Sequence, residues 1–574
     1  MLICGIKISH DGGVAVIEDG RLVFSVEVEK LENGRRYSYL GDLDRVTRIL
    51  ASEGIAPSDV DRFVVDGWYT RGADGAPAIA TRSGGDPLEL PVAWYQDGVG
   101  TGGPVERFTF ADHDFGAARG GYASYHHVSN HLMGAYCSSP FARRGEDAMV
   151  LVWDGGVIPR LYHVEARTRT VGAAALGLPV MGNSFADFSS QFEPFHRDTS
   201  GLDADEVIRH HLSIAGKAMA YAALGTVEET AFPVFDDIIA GFSTVSQDNA
   251  KEIGEKIAVN RDQLLPGLSN ADLIATFQAY LGDLLLRRLT ALMGRRLPWQ
   301  RPSDLLRRGA SWKPNLVLGG GCALNIKWNS MLRDSGLFAD IWVPPFSNDS
   351  GAAIGTACCE MFREDGRTAL DWNVYSGPSL VPGGVPAGWH VRPCDERQLA
   401  ELLHTEGEPV VVLSGRAEIG PRALGNRSIL APATDPAMKD RLNHIKDRAA
   451  YRPVAPICLT SRAAEVFAPG GSDPYMLFEH HMRPGWAERV PAIVHLDGTA
   501  RLQTIDERAG SVTGRILTAY ERLSGIPVLC NTSANLNGRG FFPDVASAAA
   551  WGGTRYIWSE QRLYTRLDRP ASAA

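Results

Sequence analysis

One apolar run that ends in three consecutive glycines constrains the fold of this chain more than any other feature. Residues 316–318 (Leu-Val-Leu) are typical of a buried strand, and after Gly319, Gly320 and Gly321 the spacing becomes helical. A strand that enters a glycine loop and then a helix is an α/β arrangement, and open backbone N–H groups in that loop suit an anion or a nucleotide phosphate. Glycine triplets also occur in plain turns, so the pattern alone leaves both interpretations open.

The start of the chain predicts a meander of short strands. Apolar residues at 3–8, 14–17 and 22–26 are separated by a turn at 10–13 and by Asp19 and Gly20, a signal for a tight hairpin. The turn suits a phosphate-facing loop, although a simple hairpin fits equally well. The sequence predicts a strand at 60–68 and helices at 42–53, 127–137, 204–224 and 270–296.

At 574 residues the chain is too long for one hydrophobic core, so we expect more than one domain. Gly and Pro are frequent at 371–390, which indicates a linker between a domain at 1–370 and a domain at 391–574. The first predicted strand of the second domain is 410–413. Residues 70–110 are rich in Gly, Pro and Asp and indicate an inserted loop or a substrate-facing excursion.

The composition excludes several classes of protein. A net charge of −10 argues against nucleic-acid binding, because phosphate backbones need a basic surface. No run of 18 apolar residues is present, and the N-terminal residues fit a first strand rather than a signal peptide. The eight cysteines form no CxxC pair, so neither a disulfide framework nor a zinc ribbon is expected. We therefore expect a cytoplasmic protein without nucleic-acid or membrane partners.

Two histidines and two aspartates indicate a metal site. His127 and His131 are four residues apart in a predicted helix, so both imidazoles lie on one helix face. Asp154 follows an apolar run at 150–153, and Asp349 follows a turn that begins with two prolines. The histidine pair alone is a weak signal, but two imidazoles with two carboxylates suit Fe, Mn or Zn. We expect such a site to keep open positions for chemistry rather than to hold the fold together.

Arg and Lys residues cluster around Gly and Pro between 415 and 452, which is unusual in a chain of net negative charge. Guanidinium groups match phosphate and carboxylate oxygens in a bidentate way, so a pocket that holds several would bind a polyanion. A solvated basic face is the alternative, but the backbone fixed by Gly and Pro favours a pocket. Polar residues after a strand at 527–530 lie where α/β sites form. The candidates are Arg422, Lys446, Arg452, Arg501, Asn531, Ser533 and Asn535.

These motifs resemble those of the O-carbamoyltransferases of antibiotic biosynthesis, and the resemblance extends over nearly the whole chain. The most specific strings are GPRALGNRS at 420–428, KDR at 446–448 and NTS at 531–533. The other shared motifs are His10 with Asp11, the His127 and His131 pair, VWDG at 152–155, Gly216 with Lys217, Gly320 and Gly321 with Asn325, VPP at 343–345 before Asp349, Arg452 with Pro453, and TAR at 499–501.

The resemblance implies an N-terminal domain of the actin/Hsp70-like (ASKHA) ATPase fold and a C-terminal YrdC-like α/β domain. It implies that the YrdC-like domain converts ATP and carbamoyl phosphate into carbamoyl-adenylate, with release of pyrophosphate and phosphate. The N-terminal metal would then serve transfer of the carbamoyl group to a hydroxyl of a small natural product. Fe2+ is the expected metal, with Mn or Zn as alternatives, and Mg2+ is expected with ATP. The labile anhydride must be handed over inside the protein.

The resemblance also implies roles for single residues. His10 matches the general base that takes the proton of the acceptor hydroxyl, a task that suits imidazole, with a structural role as the alternative. In the N-terminal domain it implies nucleotide binding by Arg35, Arg36, Lys217, Gly320, Gly321 and Asn325. In the C-terminal domain it implies binding of carbamoyl phosphate and ATP by Arg422, Lys446, Arg452, Arg501, Asn531, Ser533, Asn535 and Arg539.

The sequence departs from the family pattern at one motif and does not identify the acceptor. In the family, NTSxN is followed by an acidic residue and an Arg, whereas Leu536 and Asn537 stand here, so Arg539 must reach back or the phosphate contact is lost. Residues 70–110 and 178–210 match poorly, and an acceptor pocket would diverge there. A nodulation-type sugar is an alternative acceptor, and a non-catalytic nucleotide-binding regulator is an alternative function. The oligomeric state cannot be read from the sequence.

Overall fold

Two sheets in the first part of the chain repeat one strand order in the computed structural model. In each sheet three antiparallel strands form a meander, and the first of them also pairs in parallel with a later strand. In spatial order the first sheet contains β3 (Arg21–Glu27), β2 (Gly13–Glu18), β1 (Leu2–Lys7), β4 (Arg62–Asp66), β8 (Tyr122–Tyr125) and β7 (Phe108–Phe110). The second contains β11 (Thr170–Ala175), β10 (Arg160–Glu165), β9 (Ala148–Val152), β12 (Leu316–Gly319) and β13 (Ile341–Trp342).

The structure describes residues 1–69, 76–98, 102–117, 120–242, 249–295 and 313–567. The predicted N-terminal meander and the strand near 60–68 are confirmed. Within the predicted excursion, residues 70–75 and 99–101 lie outside the described residues. The described part contains β7 and a separate hairpin of β5 (Ala78–Ser83) and β6 (Asp86–Pro91).

Helices flank these two sheets, and the four predicted helices are confirmed within a few residues. The predicted strand at 316–318 also enters a glycine loop that leads into a helix, as expected. The helices of this part are α1 (Asp44–Ser52), α2 (His127–Cys137), α3 (Pro140–Arg143), α4 (Ser184–Ser189), α5 (Ala204–Tyr221), α6 (Phe232–Ala240), α7 (Asn249–Leu264), α8 (Asn270–Met293), α9 (Ile326–Asp334) and α10 (Ala352–Glu360).

Glycines let α2 and α10 cross at close range. A Cβ on Gly355 would lie 2.1 Å from the Asn130 carbonyl oxygen, and a Cβ on Gly134 would lie 3.0 Å from Cα of Gly355. Larger side chains at these positions would force the helices apart. Since α10 begins three residues after Asp349, the crossing brings this carboxylate to the face of α2 that carries His131.

A third, mixed sheet forms the core of the later part of the chain, and the predicted strand at 410–413 is confirmed. In spatial order it contains β14 (Trp389–Pro393), β24 (Arg562–Arg566), β23 (Tyr556–Ser559), β15 (Val410–Leu413), β16 (Arg427–Pro432), β22 (Val528–Ser533), β17 (Ala455–Leu459) and β21 (Gln503–Ile505). A small sheet contains β18 (Phe467–Ala468), β19 (His480–Met482) and β20 (Thr499–Ala500). The helices are α11 (Glu396–Glu406), α12 (Ala437–Ile445), α13 (Thr460–Val466), α14 (Val512–Ser524) and α15 (Val545–Trp551).

The chain divides into two compact units whose bounds differ from the predicted domains. Unit 1 contains residues 1–27 and 37–373, and unit 2 contains residues 28–36 and 374–574. Residues 371–390 do not form a separate linker, because Asp371 pairs with Leu22 in unit 1 while Val374 and Gly377 bond to the backbone of 417–419 in unit 2. Residues 28–36, which the sequence placed in the first domain, belong to unit 2, because the backbone of this stretch bonds to residues 538–540. Composition alone did not indicate that residues 28–36 belong to unit 2.

Buried apolar strands form the centre of each unit. Every residue of β9, β12 and β15 is buried, as expected for central strands that are covered on both faces. No helix in the described ranges is long and apolar enough to cross a membrane.

Candidate active site

Polar residues of unit 1 follow the carboxyl ends of its parallel strands. Lys7 and Asp66 are the last residues of the paired strands β1 and β4. Val152 and Gly319 pair at the ends of β9 and β12, so Asp154 and the glycine loop lie just beyond neighbouring strand ends. Sites in parallel α/β sheets form at this edge.

The four predicted metal ligands, His127, His131, Asp154 and Asp349, are buried and lie together. One ligand atom from each lies within 4.8 Å of the others. The two histidine Nε2 atoms are 3.1 Å apart, and Oδ1 of Asp349 lies 3.5 Å from Nε2 of His127 and 3.3 Å from Nε2 of His131. The Asp154 carboxylate approaches the same two nitrogens at 3.8 and 3.7 Å. The structure thus brings together the complete predicted set.

The partners of the two imidazoles determine which nitrogens face the cluster. Nδ1 of His127 lies 2.9 Å from the Asp66 carboxylate, and Nδ1 of His131 lies 3.1 Å from the Ser347 carbonyl oxygen. These partners only accept hydrogen bonds, so each Nδ1 carries a proton and donates it. In neutral imidazoles both Nε2 lone pairs then point at each other and at the two carboxylates. This is how metal-binding histidines are oriented by their outer partners.

The carboxylates of the cluster raise the pKa of both imidazoles. Burial alone would lower the pKa of His127, but the Asp66 carboxylate and Asp349 raise it well above its ordinary value. Burial likewise opposes protonation of His131, and Asp154 beside it raises the pKa of that imidazole. The carboxylates therefore favour the protonated imidazoles, and a metal bound by Nε2 would displace such protons. Two nitrogen and two oxygen donors fit a divalent transition metal.

His10, the predicted general base, lies beside the cluster. Its Nδ1 is 2.9 Å from the Asp11 carboxylate and 3.6 Å from Oδ2 of Asp349. Because the Asp11 carboxylate accepts a hydrogen bond from Nδ1–H, a neutral His10 imidazole has its lone pair on Nε2, the atom that a general base needs. The Trp68 ring contacts His10 edge-on at 5.9 Å between centroids.

The glycine loop supports the metal cluster with its backbone. Gly320 has φ +90°, and a Cβ there would lie 2.4 Å from the Trp153 carbonyl oxygen, so this position requires glycine. Its N–H donates to the Ser347 carbonyl at 2.8 Å, and the N–H of Gly321 donates to Oδ1 of Asp154 at 2.5 Å. The predicted phosphate-facing N–H groups are thus engaged in orienting the ligand set. The glycine triplet indicated a loop correctly, but it did not reveal this use.

Asn325 and Lys217, two further predicted nucleotide ligands of unit 1, contact groups of their own helices. Asn325 caps α9, where its side-chain oxygen accepts from the N–H groups of Lys327 and Trp328. Lys217 lies on the exposed face of α5 and donates to the Ser213 hydroxyl at 3.1 Å. A Cβ on Gly216 would meet open space, and one on Gly321 would meet only Asp154.

Arg35 and Arg36, assigned by resemblance to the N-terminal nucleotide site, belong instead to unit 2. The N–H of Arg36 donates to the Gly538 carbonyl at 2.9 Å, and Arg35 forms a β-bridge with Arg539. Their position early in the chain suggested the first domain, but backbone pairing holds them beside the loop that follows the NTS motif.

Cationic side chains gather in one region of unit 2. Burial, together with Arg452 and Arg448, lowers the pKa of Arg501 to about 10. Burial and Arg452 lower the pKa of Arg448 to about 9, and burial with Arg448 and Arg36 lowers that of Lys446 well below its ordinary value. Nε of Arg501 and Nη2 of Arg448 are buried and have no hydrogen-bond partner within the described part of the chain. Repulsion of this kind indicates a site built for an anion.

Lys446 shapes the NTS loop. Its Nζ donates to the Ser533 carbonyl at 2.6 Å, to the Asn535 carbonyl at 2.5 Å and to the Asn535 side chain, which engages all three N–H groups. Asn535 donates in turn to the Arg539 carbonyl at 2.6 Å. Lys446 thus holds the NTS loop in place, and its predicted contact with a phosphate stays a prediction. Nη1 of Arg539 donates to the Asn33 carbonyl at 3.1 Å.

Residues that the sequence did not single out hold the loop of Arg422. Glu418 is fully buried, and its Oε1 accepts from three backbone N–H groups. These belong to Leu424 and Asn426, both at 2.7 Å, and to Arg427 at 3.2 Å. Lys30 donates to the carbonyls of Glu418 and Gly420, each at 2.7 Å. The sequence signal was an acidic residue two positions before a Gly-Pro pair, with no indication of its buried role.

The predicted Asn531 supports the same loop from the sheet. Its Nδ2 donates to the Ala423 carbonyl at 3.1 Å and to Gln503 at 2.7 Å, and Gln503 donates to the Leu424 carbonyl at 2.8 Å. Asn531 and Gln503 thus hold the backbone next to Arg422. Oδ1 of Asn531 is buried and without a hydrogen-bond partner in the described residues.

We expect Glu418→Ala to destabilise unit 2 and to lower the activity of its cationic site. The change leaves three buried N–H groups without an acceptor, which costs at least about 3 kcal/mol in the free energy of unfolding. Glu418→Gln keeps an oxygen at this position, so its loss is smaller. Chemical denaturation of the full chain measures both variants. Exposed Glu488→Ala is the control, and equal stability of Glu418→Ala and this control would contradict the role of Glu418.

Both parts of the chain are similar to proteins of one known family. Residues 2–74 and 117–358 match the carbamoyltransferase N-terminus family, and residues 400–554 match the carbamoyltransferase C-terminus family. Nodulation protein U of Sinorhizobium fredii is 44% identical over all of this chain and all of its own length.

Two further relatives carry the name 3'-hydroxymethylcephem-O-carbamoyltransferase. The one from Streptomyces clavuligerus is 34% identical, and the one from Amycolatopsis lactamdurans is 32% identical. Each covers 94% of this chain and 94% of its own length. Both family matches and full-length relatives therefore agree with the motifs from which the resemblance was drawn. This chain is an enzyme that belongs to the carbamoyltransferase family.

Proposed function

We propose that the chain is an ATP-dependent O-carbamoyltransferase with two reaction sites. In unit 2, carbamoyl phosphate, ATP and one water yield carbamoyl-adenylate, pyrophosphate and phosphate. In unit 1, an acceptor hydroxyl takes the carbamoyl group and AMP leaves. One observation carries this proposal: each unit contains its own buried site, and the two sites differ in charge. Four acceptor atoms converge in unit 1, and cations gather in unit 2.

The cationic cluster of unit 2 suits the first step. ATP and carbamoyl phosphate are both polyanions that repel each other, and the guanidinium groups of Arg422, Arg452 and Arg501 would neutralise them and fix their approach. Arg36 and Arg448 add charge beside Lys446, in the region where the family pattern has an Arg after NTSxN. In this proposal Ser533 and Asn531 orient the carbamoyl group, and Mg2+ accompanies ATP.

The cluster of unit 1 suits the second step. His127, His131, Asp154 and Asp349 would hold a divalent metal, with Fe2+ as the proposed ion and Mn or Zn as alternatives, and this metal would supply Lewis acidity for an oxygen of the carbamoyl-adenylate. Nε2 of His10 takes the proton of the acceptor hydroxyl as the hydroxyl oxygen attacks the carbamoyl carbon. Asp11 keeps that imidazole in the tautomer that can accept the proton.

The fold is consistent with the two-domain interpretation. Unit 1 contains the same meander followed by parallel strands twice, which supports our proposal of an actin/Hsp70-like fold. We propose a YrdC-like fold for unit 2. In this proposal the glycine loop and Asn325 contact the nucleotide part of the adenylate, and Lys217 contacts its phosphate; the space beside Gly216 is open to such a ligand.

Two acceptor classes remain candidates. The cephem relatives carry a name that states transfer to a hydroxymethyl group, which supports a small natural-product hydroxyl. The 44% identity to nodulation protein U over the full length of both chains favours a nodulation-type sugar as the second candidate.

We expect pyrophosphate release from ATP to depend on carbamoyl phosphate, because the first step consumes both. The assay measures pyrophosphate with and without carbamoyl phosphate, without an acceptor, and then with a panel of hydroxyl acceptors. Carbamoyl-phosphate-dependent release establishes the adenylate step. If no release occurs under either condition while the protein is folded, the proposed function is wrong.

A further inference from the structure

Lys7 is a fully buried cation that belongs to none of the groups proposed to bind metal or substrate. It is the last residue of β1, and its Nζ lies 2.6 Å from Oδ2 of Asp66. The same ammonium forms an ion pair with Oδ2 of Asp349 at 2.9 Å and lies 5.0 Å from the centre of the Trp68 ring. Burying an ammonium is costly unless its partners repay the lost hydration. Its position between two carboxylates therefore requires an explanation.

The two carboxylate oxygens of Asp349 face different partners. Oδ2 faces the ammonium, whereas Oδ1 faces Nε2 of His127 and Nε2 of His131. An aspartate without such a neighbour offers both oxygens to a cation and can bind it in a bidentate way. With Lys7 in place, only Oδ1 is directed into the cluster.

The same ammonium also fixes the outer partner of His127. The Asp66 carboxylate accepts three hydrogen bonds. Oδ2 accepts from Lys7, Oδ1 accepts from Asn130, and the carboxylate also accepts from Nδ1–H of His127. Such hydrogen-bonded carboxylates set the ring orientation of a metal-binding histidine. Lys7 thus acts on two of the four metal-binding side chains without being among them.

Lys7 also contributes to the charge balance of the cluster. Asp66, Asp154 and Asp349 supply three negative charges, and Lys7 with a divalent metal supplies three positive charges. A buried cluster without net charge avoids a large desolvation cost.

We propose that Lys7 is a positioning residue of the transfer site, which restricts Asp349 to one metal-directed oxygen and thereby keeps coordination positions open for the carbamoyl donor. This inference rests on the proposed metal-dependent transfer. An open position is what distinguishes a reactive metal site from a closed one. Lys7 therefore determines how many positions stay open.

The test compares wild type with Lys7→Met, which has a side chain of similar length without the charge. Co2+ binding, followed by its visible absorption, reports the coordination number without any turnover. We expect weaker absorption in Lys7→Met, because the second oxygen of Asp349 joins the metal and the coordination number rises. Acceptor carbamoylation should fall about 10–100-fold, as for other outer residues of metal sites. Exposed Lys251→Met is the matched control for loss of a lysine charge.

A second variant keeps the test decisive if Lys7→Met fails to fold. Lys7→Met with Asp66→Asn removes one charge of each sign, and removing both partners of a buried pair costs less than removing one. It still releases Oδ2 of Asp349, so the Co2+ absorption should still weaken. An unchanged Co2+ spectrum in a folded variant would overturn the role of Lys7.

The outcome can be separated from failure of the proposed function. If wild type binds no Co2+ and carbamoylates no acceptor, the proposed function fails. If wild type does both and the Lys7 variants match it in spectrum and rate, only the inference about Lys7 fails. Pyrophosphate release in unit 2 should be unchanged in every Lys7 variant.

Discussion

His127→Ala should abolish carbamoylation of the acceptor while carbamoyl-phosphate-dependent pyrophosphate release continues. The substitution removes one of the two Nε2 atoms that lie 3.1 Å apart, and it leaves the Asp66 carboxylate without the imidazole that it orients. Because a Lewis-acid metal contributes several kcal/mol to a transition state, we expect at least about a 10³-fold loss of transfer. Metal content should fall together with transfer.

Two measurements on the same preparations check this prediction. Metal analysis and acceptor carbamoylation report unit 1, and pyrophosphate release reports unit 2. His126→Ala is the matched control, because His126 is equally buried on the neighbouring position but its Nδ1 lies against the Trp94 carbonyl oxygen. If His127→Ala stopped pyrophosphate release as strongly as transfer, the assignment of the two reactions to two sites would be wrong.

The metal ligands could be predicted from sequence because their chemistry restricts the residue types. Two histidines one helical turn apart must share a face of α2, and carboxylates that follow buried strands or turns must lie at strand ends. Lys7 and Asp66 could not be predicted in the same way. Each is one charged residue at the end of an apolar strand, and only the pairing of β1 with β4 brings them together.

The glycine loop shows why a correct local prediction can miss the role of a segment. The strand, the loop and the helix after it were all predicted, and the positive φ of Gly320 explains the glycine. Whether an N–H group binds a phosphate or a protein oxygen depends on what the rest of the fold places opposite it. Here the opposing groups are Asp154 and the Ser347 carbonyl, which come from distant parts of the sequence.

The membership of residues 28–36 in unit 2 could not be predicted from the sequence for a similar reason. The backbone of this segment pairs with residues 538–540, about 500 positions later in the chain. No composition shift marks the points at which the chain leaves and rejoins unit 1. Arg35 and Arg36 therefore belong to unit 2 and not to the first domain, in which the resemblance placed them, and their binding of nucleotide stays a prediction.

Arg501→Ala should stop formation of carbamoyl-adenylate without weakening the unliganded protein. Arg501 lies among like charges, since burial with Arg452 and Arg448 lowers its pKa to about 10, and its Nε lacks a partner among the described residues. Removing it relieves repulsion in the free protein but removes a charge-assisted donor to the anions. Loss of one such donor to a reacting group costs about 10²–10³-fold in rate.

Three measurements together test the role of Arg501. Pyrophosphate release should fall, whereas transfer from synthetic carbamoyl-adenylate to an acceptor should persist in unit 1. Thermal unfolding without ligand should occur at the same temperature as wild type or higher, and the stabilisation by ATP with carbamoyl phosphate should vanish. Exposed Arg489→Ala, whose guanidinium stacks on Trp486 at 3.8 Å, is the control for loss of an arginine. A protein that is destabilised without ligand would instead identify Arg501 as a structural residue, because a group held for ligand binding contributes repulsion, not stability, when the ligand is absent.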